Sequence, residues 1–385
     1  MCDGARGRDE TLVETTVTVR PRFEPAFEVV ERKGLGHPDT LCDAAAEALG
    51  RHLAERALER TGSRGHFNVD KALLVGGAVE VGYGGGRLLR PAQLILAGRA
   101  DLRGLGRADE LAGAVRGDLP PALSPGALEV EVRVNPPTAE LAGLTSPSGV
   151  PLANDTSYAV VSLPRTPLET AVYEVERHLT AAEMRSRLPT GIDVKVLGTR
   201  SRGHVTLIVA VATLADRVAS AEDYRTVVGD VAEEVGDLAA ALLGHRPDVL
   251  VNQTPGPYLT VTGTSAEAGD DGQVGRGNGF GGLITPLRPG SGEAPAGKNP
   301  VSHVGKTYHA VAHDAARRLL DDPEVDEVTV ELVSRIGAPV TEPHATHVAV
   351  AGHVTQARVS EVLQHCLHDW EGVRDRLLAG RYELF

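Results

Sequence analysis

Residues 31–58 read ERKGLGHPDTLCDAAAEALGRHLAERAL, and the stretch changes character part-way along. Glycine, proline and charge crowd its start, and a long alanine- and leucine-rich run follows. Pro38 suits the first turn of a helix, with Gly36 and His37 in the tight approach to it. Asp39, Asp43 and Glu47 recur at every fourth position on one face, while Leu41, Ala45, Leu49 and Leu53 form another. An amphipathic helix with an acidic stripe is therefore predicted to begin near residue 38. Helical patterns of the same kind begin near 166 (TPLETAVYEVERHL) and 303 (HVGKTYHAVAHDAARRLL), 128 and 137 residues further on in turn. Segments of period two, such as TTVTVR, LEVEVRV (128–134), HVTLIVAV, VDEVTVELV and THVAVAG, read as strands. Second helices are expected near 220, where Ser220 and Asp223 make a capping-box pattern, and near 359. Three similar α+β units follow, with mixed or antiparallel sheets covered by helices, in place of the strict alternation of a doubly wound fold. They are placed at 1–125, 126–250 and 251–385, with strands exchanged between units.

Composition narrows the function. The chain has 385 residues, 42% of them hydrophobic, which is enough for two to three cored domains. Three cysteines without paired spacing argue for reduced thiols and a cytoplasmic home. The segment MCDGARGRDETLVE has no apolar core of a signal peptide, and no apolar run is long enough to span a membrane. A net charge of -13 and 3% aromatic residues disfavour a nucleic-acid surface and leave a small anionic ligand open.

The basic residues divide into five lysines and thirty-four arginines. In so arginine-rich a chain, Lys33, Lys71, Lys195, Lys298 and Lys306 mark positions where a compact ammonium can meet a phosphate or carboxylate in limited space. The alternative is that they were kept by chance. Around 31–40, Asp39 could serve as a ligand for Mg²⁺ and His37 as a donor to a developing oxyanion. Equally, Asp39 could serve only the helix dipole. The stretch 263–306 is so rich in glycine that backbone amides can approach a ligand from several directions, and it mixes Asp270 and Asp271 with Arg276, Arg288, Lys298 and Lys306. That mixture suits a polyphosphate carrying a metal, cations for the oxygens and carboxylates for the ion.

Two motifs there fail on context. GEAPAGK (292–298) matches part of a P-loop, but Asn299 and Pro300 follow where Ser or Thr should open a helix. The glycines of VGYGGG and VGRGNGFGG do not open a helix after a strand, so a dinucleotide fingerprint is not expected. His309 and His313, like His365 and His368, read as ordinary helix surface, because no HExxH glutamate accompanies them.

Seven ordered segments carry a family resemblance: ERKGLGHPD (31–39), NVDKALLVGG (68–77), PLANDTS (151–157), DVKVLG (193–198), YLTVTGTSAEAGDDGQVGRGN (258–278), GLITP with GKNPVSHVGK (282–306), and IGAPVTEP (336–343). From about residue 28 to the C-terminus the chain resembles the archaeal-type methionine adenosyltransferases, or S-adenosylmethionine synthetases. The resemblance implies a three-domain α+β fold with pseudo-threefold repetition of sheet-plus-helix units, and a homodimer with active sites between subunits. It implies attack by methionine sulfur on C5′ of ATP, release of triphosphate and its cleavage to pyrophosphate and phosphate, with Mg²⁺ and K⁺. Carried over motif by motif, His37 and Lys195 would stabilise the departing oxygen, Arg276, Lys298 and Lys306 would hold the triphosphate, and Asp39 would hold the metal. Asp155 and Asp270 would bind ribose or the methionine ammonium, with Asn154, Asp271 and Lys33 beside the substrates.

The chain departs from that pattern in three places. VNPPTAEL (134–141) stands where a GQGS-type segment is usual, Gly277-Asn278-Gly279 where GNR is, and RPGSGEA (288–294) where RPMSMEA is. These replacements keep the phosphate machinery but open the choice of nucleobase or sulfur substrate. A paralogue using another nucleotide, and a regulatory subunit without turnover, are the alternative readings.

Overall fold

The structure, a computed structural model, describes residues 15–62, 65–123, 126–137 and 149–385. The readings made on residues 1–14 and on 138–141 lie outside the described residues.

Three larger sheets, each with helices on one face, and a separate two-stranded hairpin build the described chain. The first runs in the order Gly272–Gln273, Phe67–Val75, Ala92–Ala100 and Leu128–Asn135 under helices Pro38–Thr61 and Ala108–Asp118. The second runs Asp248–Val251, His204–Leu214, Thr190–Ser201 and Phe27–Lys33 under helices Pro167–Thr180 and Ala221–Leu243. The third runs Thr15–Val19, Ala345–Gly352, Val325–Val333 and Tyr158–Leu163 under Val304–Leu320, with Gln356–His368 and Trp370–Leu378 packed beside it. Each has its own apolar core: alternate residues such as Val194, Val196 and Val30 face Leu168, Val172 and Val175 of the covering helix. Strands cross between units. Phe27–Lys33 and Thr15–Val19 leave the N-terminal third for the second and third sheets, and Leu128–Asn135 joins the first.

Helix starts carry the caps that local sequence calls for. Thr166 Oγ1 accepts from Glu169 N and Ser220 Oγ from Asp223 N. At the helices of the first and third units the cap is an imidazole: His37 Nδ1 accepts from Asp39 N, and His303 Nδ1 from Gly305 N, both at 3.2 Å. The VGYGGG glycines form the turn of the hairpin Ala78–Gly82/Gly85–Arg90. The helical pattern near 359 divides in two at Asp369, which ends one helix and starts the next, its carboxylate held by Arg376 Nη2 at 2.9 Å. No described helix is long and apolar enough to cross a membrane.

Candidate functional site

The acidic stripe of helix Pro38–Thr61 faces protein. Asp39 Oδ1 accepts from Gln273 N at 3.0 Å, Asp43 Oδ1 from Gly275 N at 3.1 Å, and Glu47 Oε2 from Gly297 N at 2.9 Å. Three carboxylates one turn apart thus receive three main-chain amides of the glycine-rich loop, along about 12 Å of helix. The loop is held along its length by this rail.

At the N-terminal end of the rail lies an ionic cluster on the helix-free face of the second sheet. Lys33 and Lys195 are directly opposite on antiparallel strands, so their ammonium groups share that face. Like charges in that relation repel unless anions stand between them. Lys33 Nζ lies 2.9 Å from Asp39 Oδ2 and donates to the Arg276 carbonyl at 2.6 Å, and Lys195 Nζ is 3.0 Å from Glu31 Oε1. Asn278 clasps the Lys33 main chain, accepting its N–H at 2.9 Å and donating to its C=O at 2.8 Å. The Arg276 side chain is exposed beside this cluster.

His37 enters it because the loop before it hugs the second sheet. Gly34 N donates to Val194 O and Gly36 N to Ile192 O, an approach in which a Cβ on Gly36 would collide with the Ile192–Asp193 backbone. Burial holds the His37 imidazole below its ordinary value, against the pull of Asp193 and Asp39. A neutral ring whose Nδ1 accepts a backbone N–H carries its proton on Nε2, and that Nε2–H is the donor left for a ligand. Asp193 anchors the surroundings, accepting from Tyr258 Oη at 2.8 Å, Ser265 N at 2.9 Å and Ser265 Oγ at 2.7 Å.

A second cluster sits at the other end of the rail. Lys306, only 2% exposed, places Nζ 2.6 Å from Glu47 Oε2, and burial lowers its ammonium against that partner. Lys298 lies 3.1 Å from Glu293 Oε2 and 3.3 Å from Asp70 Oδ2. Burial, then Lys298, pushes the His303 imidazole down to about 3. Asn154 and Asp155 border this cluster: Asn154 N donates to Ser302 O, and Ser157 Oγ donates to Glu293 Oε1. Asn154 Oδ1 and Ser302 Oγ are buried without a protein hydrogen-bond partner, which leaves two polar atoms beside the cluster able to meet a ligand.

The remaining candidates sit at the edges. Asp270 Oδ2 lies 3.0 Å from Ser265 Oγ, and Asp271 Oδ1 accepts from Gly76 N at 2.8 Å. Lys71 is exposed and paired with Asp70. Arg288 joins neither cluster: it is buried between units, Nη1 2.5 Å from Glu169 Oε2 and Nη2 2.9 Å from the Pro164 carbonyl. The expectation of a surface position for His309 is also corrected. It is 2% exposed, donates Nδ1–H to Gly305 O at 2.9 Å and stacks on Phe280, which the glycine-rich loop lays over it. Sequence reading missed Glu31, Asp193, Asn278, Asp43 and His303. For the first two a signal existed: Glu31/Lys33 and Asp193/Lys195 are spaced by two in strands whose alternate residues are valine or arginine, which puts ionisable pairs on one sheet face.

For a metal, no group of three His, Cys, Asp or Glu side chains converges among the described residues. A magnesium ion needs only one or two carboxylates when phosphate oxygens and waters complete its shell. Asp39 meets that requirement, and one turn along the buried Asp43 Oδ2 has no hydrogen-bond partner. Burial, which outweighs the Gly275 N–H, pushes the Asp43 carboxyl up to about 7. The folded protein therefore binds this proton more tightly than the unfolded chain. The stabilisation is complete below 3.8 and is lost as pH rises through about 7, at up to about 1.4 kcal/mol per pH unit. Asp43→Asn should remove this slope. In magnesium-free buffer its melting temperature should exceed the wild type's by a margin that grows from pH 5 to pH 8; the same difference at both would show that Asp43 is not the titrating group.

A family model described as S-adenosylmethionine synthetase (AdoMet synthetase) matches residues 11–381. The chain belongs to the S-adenosylmethionine synthetase family. Its relatives include the S-adenosylmethionine synthase of Aeropyrum pernix, 44% identical over 86% of this chain and 87% of that one. The probable S-adenosylmethionine synthase of Aquifex aeolicus is 42% identical over 89% and 90%. Among solved structures, an unusual S-adenosylmethionine synthetase from Campylobacter jejuni superposes with a TM-score of 0.62 at 15% identity, covering 91% of this chain and 88% of that one. That likeness carries the α+β synthetase fold. As a synthetase of this family the chain is a methionine adenosyltransferase of S-adenosylmethionine biosynthesis, in a family whose members are generally metal-dependent.

Proposed function

We propose that the rail and its two clusters form the site where methionine sulfur attacks C5′ of ATP. The observation that carries this reading is the opposed pair Lys33 and Lys195, flanked by a neutral imidazole and a buried aspartate. A thioether has no proton to lose, so the step needs alignment and stabilisation of the departing oxygen, not a general base. His37 Nε2–H and Lys195 supply that stabilisation. Arg276, Lys298 and Lys306 hold the triphosphate, which water then cleaves to pyrophosphate and phosphate. Asp39 holds Mg²⁺, with Asp43 beside it; when bound, the ion supplies positive charge to the phosphate oxygens. Asp155 and Asp270, with Asn154, Asp271 and Lys33, position ribose and methionine, and K⁺ enters through the family alone.

The catalytic unit is a homodimer. The helix-free face of the second sheet carries Phe27, Ile208 and Leu250, exposed, on strands that lead to the ionic cluster at Lys33 and Lys195. An apolar face continuous with a half-open charged site suits closure by a second copy.

The test is to incubate the pure protein with methionine, Mg²⁺, K⁺ and each of the four ribonucleoside triphosphates in turn, following sulfonium product by mass and phosphate release. Product with ATP is expected. Product with another base alone would reassign the nucleotide, and none with any, from folded protein, would leave a regulatory subunit.

A further inference from the structure

A cavity of about 870 Å³ lies between strand Tyr158–Leu163, helix Val304–Leu320 and loop residues 275–294, within the range of small-molecule sites. Lys33, His37, Lys195, Lys298 and Lys306 do not line it; of the cluster residues only Asn278 and Glu293, the partners of Lys33 and Lys298, reach its wall. Six of its lining residues are glycines, and they fall into two kinds. Gly275 and Gly281 have positive φ, and a Cβ on Gly277 would strike Asp43, so these three are required by the backbone. Gly279, Gly290 and Gly292 are not: none has positive φ, and an added Cβ would meet nothing closer than 3.4 Å, 3.7 Å and 4 Å respectively. Glycine lowers stability by about 0.5–1 kcal/mol relative to alanine where its freedom is unused. At these three positions its effect is to keep volume open.

The walls specify what would enter. Phe280 and His309 are stacked at a centroid distance of 5.5 Å, and His313 meets Phe280 edge-on at 5.8 Å. His309 gives its Nδ1–H to Gly305 O, and burial pushes its ring down to about 4, so Nε2 stays an acceptor. Arg317 is an exposed cation on the wall; of the wall carboxylates, Glu169, Glu293 and Glu383 are already held by Arg288, Lys298 and Tyr173. We propose that this cavity is a small-molecule site, separate from the reacting groups, for a planar aromatic ligand that carries an N–H donor and an acidic group. It rests on the functional reading above in being distinct from the ATP and methionine sites, and so reassigns the replacements at 277–279 and 288–294, expected from sequence to alter the choice of nucleobase or sulfur substrate, to a separate pocket. Its loop is the one docked on Asp39, Asp43 and Glu47, which fixes the cavity wall whether or not the ionic clusters are occupied.

Anilinonaphthalene sulfonate has this chemistry and serves as the probe. Wild-type protein should bind one per chain, with fluorescence unchanged by ATP, Mg²⁺ and methionine. Gly290→Met/Gly292→Met should fold with an undiminished melting temperature and bind the dye at least about tenfold more weakly, a loss of about 1.4 kcal/mol. Arg317→Gln, a change at an exposed position, should weaken binding without altering the melt. Wild-type affinity in both variants, or displacement of the dye by ATP, would overturn the proposal, and so would unfolding of the double variant, which would show those glycines to be required. None of these readouts depends on turnover, so a failed assay for S-adenosylmethionine leaves the test standing.

Discussion

His37→Ala is expected to lower kcat for S-adenosylmethionine formation by about 10²–10³-fold, the usual cost of removing one preorganised donor from a developing oxyanion. The KM for ATP should change little, because Lys33, Lys298 and Lys306 remain. His37 also caps helix Pro38–Thr61 through Nδ1, so alanine should cost about 1 kcal/mol of stability as well. The two effects separate in His37→Asn: the amide oxygen can still accept from Asp39 N, but no group reaches the position of Nε2. The asparagine variant should melt near the wild type and be as slow as the alanine variant. Normal turnover in either would remove His37 from the chemistry. A slow alanine variant beside an active asparagine variant would leave it only the cap.

The largest stability effect is expected at Arg288. Its guanidinium and the Glu169 carboxylate are each 4% exposed and 2.5 Å apart, and Glu327 lies 3.7 Å from the same group. Burial raises the Glu169 carboxyl against the opposing pull of Arg288. Arg288→Ala leaves a buried carboxylate without its charge partner, which costs about 3–5 kcal/mol and should move the guanidinium unfolding midpoint down accordingly. With Arg288 gone, Glu169 should take up a proton in the fold. The variant's deficit should therefore shrink as pH falls through the range where Glu169 protonates, and Arg288→Ala/Glu169→Gln should recover most of the loss at neutral pH. A variant as stable as the wild type would mean that the pair contributes nothing net.

The elements of the fold were legible because periodicity is local. Strands at 128, 204, 325 and 345 and helices at 38, 167, 221 and 304 follow from spacing two and spacing three or four in the chain itself. Which strands pair was not legible: Phe27–Lys33 lies against Thr190–Ser201, more than 150 residues away, and nothing in either strand names the other. The same limit applies at the site. The lysines stood out by composition, yet the carboxylates that neutralise them, Glu31, Asp70, Glu47 and Glu293, look like any others until the fold brings them near. Sequence alone groups Arg288 with the phosphate-binding cations because it shares their loop, and a loop can send one side chain to a site and the next into a seam. His309 looks like surface in the sequence because the ring that covers it, Phe280, arrives from 29 residues upstream.

The carboxylate rail on helix Pro38–Thr61 grips only amide hydrogens of the loop. An attachment of that kind reads main chain, so apart from the glycines that its close approach requires, such as Gly275 and Gly277, this segment can change its residues across evolutionary time and still come to rest in the same place. The catalytic frame is thereby uncoupled from the part of the protein free to acquire new specificity.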